Sequence, residues 1–173
     1  RCWNCAIPSA WSCSASAAAP AARASGMAAM FASVASIASA GDRVVASASM
    51  FTSCHVVLTE ILPRWGITVE LVKGNDEKTW AAALAQPTKV VFIETPSNPI
   101  LEIVDIKMVS ELAHKAGAIV IVDNVMASPV LQKPLQLGAD VVMYSATKHI
   151  DGQGRVLGGA VLGNFEYIHE HFL

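Results

Sequence analysis

Charged residues are scarce in this chain: only 15% of its 173 residues are charged, whereas 53% are hydrophobic. This balance excludes a mainly disordered protein, which would carry many charges and few apolar side chains. The formal net charge is only −2, so the basic surface that nucleic acids and acidic membranes attract is missing. We therefore expect one domain with a buried core and neither nucleic acid nor membrane as a partner.

Cysteine is also rare, with four in the chain. Cys2 and Cys5 form a C-x-x-C pair, but no second Cys or His pair lies nearby to complete a zinc site. No strand-turn-helix pattern precedes the pair, as a redox motif would require. We interpret it as incidental, predict no metal site, and find no need for a disulfide-forming compartment.

Residues 24–41 lack any charge, so a membrane span has to be considered. Ser33, Ser36 and Ser39 recur every three residues, and apolar side chains between them follow a helical spacing. That pattern favours a half-buried helix of a soluble protein over a span. The basic, apolar and cleavage regions of a signal peptide are not recognisable either, so we expect a cytoplasmic protein.

From Ser25 onward, the sequence alternates between helix and strand patterns. The predicted helices are Gly26–Ala40, Ser53–Leu62 (stopped by Pro63), Asp76–Ala85 and Asp105–Ala116 (stopped by Gly117). The predicted strands are Arg43–Ser47, Ile67–Val72, Lys89–Glu94, Ala118–Asp123, Ala139–Ser145 and Val156–Gly163. Residues 1–23 show no clear period, so we divide the chain into that segment and a domain over residues 24–173.

Two predicted strands contain continuous apolar runs, Val90–Ile93 and Ile119–Val122. Such runs suit strands that are buried on both faces, as in a mostly parallel sheet between layers of helices. The alternation of strands and helices gives the same answer, an α/β domain of three layers. In such sheets, ligands bind beyond the carboxyl ends of the strands.

Polar residues gather at three of these carboxyl ends: Glu94–Pro99, Asp123–Asn124 and Ser145–Lys148. If the strands are parallel neighbours, the three groups converge at one edge of the sheet. Asp123 follows four apolar strand residues, and a carboxylate there is costly unless it has a partner.

Pyridoxal phosphate would give each group a task, because it needs a lysine for its Schiff base and an acid beside its ring nitrogen. Lys148 suits the first role and Asp123 the second, while Ser145 and Thr147 offer hydroxyl groups to the phosphate. Ser25–Met27 opens a helix, whose free N–H groups and dipole favour an anion. Each feature alone has an ordinary structural explanation, such as a solvated lysine or a helix cap. Their ordered appearance at successive strand ends favours the cofactor site.

Residues 25–163 resemble the Cys/Met-metabolism pyridoxal-phosphate enzymes, which have the aspartate-aminotransferase type of fold (fold type I). The matching motifs are Ser25–Met27, Glu94–Pro99, Asp123–Asn124 with Ala127–Pro129, and Ser145–Lys148. By position, the resemblance implies that Gly26 and Met27 bind the cofactor phosphate through backbone N–H groups, and that Ser145 and Thr147 hold it as well. It implies that Phe51 stacks on the ring, Asn98 lies near the ring hydroxyl and Asp123 pairs with the ring nitrogen. Lys148 is the residue that bonds to the cofactor.

The loop Asp151–Gly159 narrows the resemblance to O-succinylhomoserine sulfhydrylases, because cystathionine enzymes tend to have Gly-His-Ser-Asp there. Its glycines have the wrong spacing for a dinucleotide loop, which would also precede a helix rather than a strand. The resemblance implies γ-replacement: sulfide and O-succinylhomoserine, a small amino-acid substrate, give homocysteine and succinate. Alternatives are cystathionine γ-synthase, cystathionine or methionine γ-lyase, and a fragment without turnover.

Five positions depart from the family pattern. The family usually has Thr at Val125, an aromatic residue at Met126, His at Tyr144, Tyr at His149 and Gly at Thr52. These differences concern fine positioning rather than the cofactor chemistry.

Family members are much longer than this chain and act as homo-oligomers, dimers or tetramers. Their N-terminal segment gives Tyr and Arg to the phosphate of a neighbouring subunit, and their C-terminal domain gives an Arg to the substrate carboxylate. Neither region has a match here, so we expect a partial cofactor-binding domain. On its own it should bind the cofactor weakly and turn over nothing useful.

Overall fold

The computed structural model describes residues 18–172, which form one mixed sheet covered by helices. The strands are β1 (Ala18–Arg23), β2 (Arg43–Ser47), β3 (Thr68–Val72), β4 (Val90–Glu94), β5 (Ile119–Asp123), β6 (Val141–Ser145) and β7 (Gly159–Asn164). The helices are α1 (Gly26–Ala35), α2 (Thr52–Val56), α3 (Glu77–Ala83), α4 (Ile106–Lys115), α5 (Ser128–Leu131) and α6 (Phe165–Phe172). Shorter helical turns span Val57–Ile61, Leu62–Trp65, Pro134–Leu137 and Ala146–Ile150.

The sheet has seven strands in the order β1-β7-β6-β5-β4-β2-β3. Strands β2 to β6 are parallel to one another, and β7 runs antiparallel to both β6 and β1. The predicted α/β fold with a mostly parallel sheet is therefore confirmed. Because β4, β5 and β6 are adjacent, their carboxyl ends meet at one edge of the sheet.

Both faces of the sheet carry a hydrophobic core. Val90 and Phe92 belong to the core under α1 and α2, whereas Val91 and Ile93 belong to the core under α3 and α4. Successive side chains of a strand point to opposite faces, so one apolar run serves two cores. This arrangement explains why the strand sequences lack the polar alternation of a half-exposed sheet.

Side chains cap the starts of α3 and α4. Asp76 accepts a hydrogen bond from the N–H of Thr79 at 3.0 Å, and Asp105 accepts one from Met108 at 3.1 Å. Gly117, with a φ of 75°, follows α4 and ends it. None of the helices within residues 18–172 is long and apolar enough to cross a membrane.

Three elements were not predicted, β1, α5 and α6. The sequence of β1 is rich in Ala and includes Pro20, which an edge strand tolerates because one side of it needs no partner. Its structure depends on antiparallel pairing with β7, from Ala18 opposite Asn164 to Arg23 opposite Gly159. The cysteines of the C-x-x-C pair lie outside the described residues.

Pro63 does not stop the second helix where we expected. The chain continues from α2 through wider turns into the turn Leu62–Trp65, and Gly66 ends it with a φ of 77°. Proline lies near the start of that turn, where no backbone N–H is needed. Likewise, α1 ends at Ala35 rather than Ala40.

Replacing Gly159 with Ala should destabilise the fold, because β7 passes very close to the start of α1. A Cβ atom at Gly159 would lie 2.1 Å from the carbonyl oxygen of Ser25, and backbone must then move. We expect the free energy of unfolding, measured with urea, to fall by roughly 1–3 kcal/mol. Gly158→Ala is the control, since its Cβ would make only a 3.4 Å contact with Ala146. Equal stability of the two variants would contradict the close approach.

Candidate cofactor-binding site

A cavity of about 240 Å³ opens where β4, β5 and β6 end. All eight predicted site residues line it: Gly26, Met27, Phe51, Asn98, Asp123, Ser145, Thr147 and Lys148. The remaining lining residues are Ser25, Cys54, Glu94, Val125, Met126, Met143 and Leu157. The predicted convergence at one edge of the sheet is confirmed, while the role of each residue toward a cofactor stays a prediction.

Asp123 lies at the end of β5 and is only 5% exposed. One of its oxygens, Oδ1, accepts a hydrogen bond from the N–H of Val125 at 3.0 Å. Burial, followed by the nearby charge of Glu94, raises the pKa of Asp123 to about 8. A cationic group in the cavity would therefore favour the ionised form of Asp123 over the protonated form.

Glu94, at the end of β4, is a second buried carboxyl group and pairs in register with Asp123. It accepts hydrogen bonds from the backbone N–H groups of Phe51 and Asn98, the latter at 3.1 Å. Burial raises its pKa to about 7, although both hydrogen bonds act in the opposite direction. Our sequence analysis did not name Glu94 as a site residue. The signal was available, because Glu94 follows four apolar strand residues just as Asp123 does.

The start of α1, which also lines the cavity, is suited to an anion. The Ser25 hydroxyl accepts the N–H of Ala28 at 3.1 Å, and the first N–H groups of α1, including those of Gly26 and Met27, have no partner within the helix. A Cβ atom at Gly26 would lie 2.5 Å from the Cβ of Ser145. Glycine thus brings the start of α1 directly against the end of β6, so backbone N–H groups and a hydroxyl adjoin each other.

Thr147 lies beside this helix start and is tied to the loop that precedes β7. Its Oγ1 accepts the N–H of Gly158 at 3.1 Å and reaches the carbonyl oxygen of Gly158 only at 3.4 Å. Since that second contact is long, the hydroxyl proton can turn toward an anion instead.

Lys148 follows β6 in the helical turn Ala146–Ile150, but its own backbone leaves the helical region, with φ −92° and ψ −118°. Its side chain is exposed at the cavity and takes part in neither of the ion pairs formed within residues 18–172. The amine is consequently accessible from the cavity and not neutralised by a neighbouring acid.

Behind the cavity, a buried network of amides joins the three strand ends. Asn124 donates to the phenol oxygen of Tyr144 at 2.8 Å and accepts a hydrogen bond from Gln132 at 2.7 Å. Gln132 also donates to the carbonyl oxygen of Thr95 at 2.8 Å. Residues from the ends of β4, β5 and β6 are thus held together. Sequence analysis missed Gln132, which belongs to no motif and meets its partners only in the folded chain.

The donor set fits pyridoxal phosphate. Free N–H groups and hydroxyls can meet the phosphate, a buried acid can face the ring nitrogen, and an accessible amine can reach the aldehyde. Phe51, 41% exposed at the cavity, offers an aromatic face to a flat ring. Residues 18–172 contain no cluster of three or more His, Cys, Asp or Glu side chains that could hold a metal ion.

Comparison with known families agrees with this chemistry. A model of the family described as Cys/Met metabolism PLP-dependent enzyme matches residues 13–173. The chain belongs to this family. The family is dependent on pyridoxal phosphate, which confirms the predicted cofactor and the prediction of an enzyme.

Several relatives within the Cys/Met metabolism family show how far the similarity extends. The chain is 62% identical over 129 residues to the O-succinylhomoserine sulfhydrylase of Mycobacterium tuberculosis, covering 75% of this chain and 32% of that protein. It is 42% identical over 132 residues to the L-methionine gamma-lyase of Porphyromonas gingivalis, covering 76% and 33%. The chain spans about a third of the length of these curated relatives.

A solved structure supports the fold. A Campylobacter jejuni protein described as an O-acetylhomoserine (thiol)-lyase superposes with a TM-score of 0.78 at 34% identity. The match covers 85% of this chain and 36% of that one. That structure carries N'-pyridoxyl-lysine-5'-monophosphate, in which a lysine is joined to the cofactor.

Proposed function

We propose that this chain carries the cofactor-binding core of an enzyme that joins sulfide to O-succinylhomoserine, giving homocysteine and succinate. The observation that carries the proposal is the cavity, whose lining combines Lys148, the buried acid Asp123 and the start of α1. The 62% identity to an O-succinylhomoserine sulfhydrylase supports the choice of substrate.

The residues around the cavity have separate tasks in this proposal. Gly26 and Met27, through their N–H groups, hold the phosphate together with the hydroxyls of Ser145 and Thr147. The negative charge of Asp123 keeps the ring nitrogen protonated, whereas burial alone would favour the neutral form of that nitrogen. Phe51 packs on one face of the ring, and Asn98 faces the ring hydroxyl.

Pyridoxal phosphate, when bound, withdraws electrons from the Cα atom of the attached amino acid. Lys148 would hold the cofactor and, as an amine at the cavity, would also serve as the base that takes the Cα proton. Asp123 favours that step because its negative charge keeps the ring nitrogen protonated. Over the whole reaction the Cγ–O bond to succinate breaks and a Cγ–S bond to sulfide forms, so no oxidant is needed.

A γ-lyase is the second candidate, because the chain is also 42% identical over 132 residues to a methionine gamma-lyase. The loop Asp151–Gly159 favours the sulfhydrylase. Its Leu157 lines the cavity, so the loop takes part in shaping the site.

We also propose that the complete enzyme is a homo-oligomer. Several large apolar side chains of the described residues are strongly exposed, among them Val130 at 83% and Leu131 at 82% on α5. Ile100, Leu101 and Ile103, in the loop after β4, are exposed as well. Large apolar side chains exposed in groups commonly mark a protein interface.

The proposed reaction is tested by product analysis with a longer natural polypeptide that contains these residues, because the 173-residue chain on its own is expected to turn over nothing useful. We expect homocysteine from O-succinylhomoserine only when sulfide is present. A keto acid and ammonia without sulfide would identify a lyase, and cystathionine formed with cysteine would identify a cystathionine synthase. Cofactor bound at Lys148 without any of these products would contradict the sulfhydrylase assignment.

A further inference from the structure

Glu94 is a buried carboxyl group to which the proposed chemistry assigns no task. It is only 2% exposed, yet it lines the cavity next to Asp123. A buried acid is costly unless its oxygens are satisfied, so its hydrogen bonds indicate what the fold uses it for.

The two oxygens of Glu94 bind two different parts of the chain. Oε2 accepts the N–H of Phe51, the residue just before α2, and Oε1 accepts the N–H of Asn98 in the loop after β4. Phe51 is the N-cap residue of α2, and its own side chain makes no capping hydrogen bond. The bond from Glu94 therefore fixes the backbone at the start of this helix. Both residues that Glu94 holds line the cavity.

We propose that Glu94 is a positioning residue, whose single carboxylate fixes the backbones of Phe51 and Asn98 and thereby sets the side chains that face the cofactor ring. The proposal rests on the proposed function, because it takes Phe51 and Asn98 as ring contacts. Glu94 itself touches no reacting atom; it acts through these two residues.

The geometry requires a carboxylate rather than any polar side chain. Each of the two N–H groups needs an acceptor, and a carboxylate offers two. Glutamine has the same shape but only one acceptor, and its amide nitrogen would face an N–H group. Glu94→Gln should therefore lose one of the two hydrogen bonds, the one to Phe51 or the one to Asn98. Glu94→Asp keeps the charge but is too short to reach both partners.

Glu102→Gln is the matched control. Glu102 lies in the same loop as Asn98, but its bonds to Ser97 use backbone atoms that the substitution leaves unchanged. The same Glu-to-Gln change is thus made in the loop next to the cavity, while both hydrogen bonds of Glu94 stay intact.

Two measurements decide the proposal, the first without cofactor. Amide hydrogen exchange of the 173-residue chain should become faster at Phe51 or Asn98 in both Glu94 variants and stay unchanged in Glu102→Gln. The second is a titration with pyridoxal phosphate, followed by visible absorption and circular dichroism of the bound cofactor. We expect about tenfold weaker binding and an altered dichroism signal in the Glu94 variants, as the loss of one charge-assisted hydrogen bond implies.

Each outcome has a distinct meaning. Unchanged exchange at Phe51 and Asn98 in both variants would show that Glu94 does not fix these two backbones, and would overturn the proposal. Faster exchange with the affinity and dichroism of the wild type would reduce Glu94 to a structural residue and overturn the positioning role. If the wild-type chain itself takes up no cofactor at Lys148, as borohydride reduction reports, the proposed function fails and the positioning role fails with it.

Discussion

Replacing Lys148 with Ala should abolish the covalent attachment of pyridoxal phosphate. Borohydride reduction of the wild-type chain with the cofactor should label one peptide, the one that contains Lys148. The expectation follows from the accessible amine at the cavity, beside the helix start that suits a phosphate. Peptide mapping by mass spectrometry locates the label. In a longer polypeptide that contains the chain, the same substitution should lower turnover by at least about 100-fold, as expected when a catalytic base is lost.

Two comparisons make the Lys148 experiment specific. Lys148→Arg keeps a positive charge for the phosphate but cannot react with the aldehyde, because the guanidinium group stays protonated. It should bind the cofactor reversibly and leave no label. Lys133→Ala removes an exposed lysine that does not line the cavity and should behave as the wild type. A label on any of the other six lysines in the wild-type chain would refute the assignment.

The location of the cavity could be predicted from the sequence because burial leaves a strong local signal. The run Val90–Ile93 can be buried on both faces only in the interior of a sheet, and the polar residue that follows it must lie at the sheet edge. The same reasoning applies to Ile119–Val122 and Asp123. Pairing of Glu94 with Asp123 in adjacent strands then follows from the parallel arrangement.

The hydrogen bonds that support the cavity could not be predicted in this way. Gln132 contacts Thr95 and Asn124 only because the chain folds back after α5, and no local pattern encodes that return. The strand β1 is a similar case, since its Ala-rich sequence has little strand propensity and depends on β7 for pairing. Contacts between distant segments thus account for most of what the sequence analysis missed.

Two of the departures from the family pattern, Val125 and Tyr144, are compatible with the site geometry. The family usually has Thr at position 125, but here the backbone N–H of Val125 bonds to Asp123, and any residue except proline supplies that group. Tyr144 stands where His is common, and its phenol oxygen accepts a hydrogen bond from Asn124. Burial raises the pKa of Tyr144, so the phenol stays neutral within the network.

Replacing Asp123 with Asn should change how the stability of the cofactor-free chain depends on pH. Burial raises the pKa of Asp123 from 3.8 to about 8, so between these values the folded chain holds a proton that the unfolded chain has lost. The free energy of unfolding should therefore fall as pH rises from about 4 to about 8. Asn at position 123 cannot ionise, so in Asp123→Asn the decrease in the free energy of unfolding between these pH values should be smaller, by a few kcal/mol at most. The decrease that remains is the smaller contribution of Glu94.

The same Asp123→Asn variant should lose most catalytic activity even where it is the more stable protein. Asn keeps the shape of the side chain but removes the negative charge that holds a proton at the ring nitrogen, and turnover should drop by roughly 100- to 1,000-fold. The control is Asp105→Asn, because Asp105 is an exposed helix cap outside the cavity and Asn caps a helix equally well. Urea unfolding of the 173-residue chain at several pH values measures the first effect, and the homocysteine assay of a longer polypeptide that contains the chain measures the second. Near-normal turnover by Asp123→Asn would rule out the ring-nitrogen role, whereas an unchanged pH dependence would show that Asp123 is ionised in the folded, cofactor-free chain.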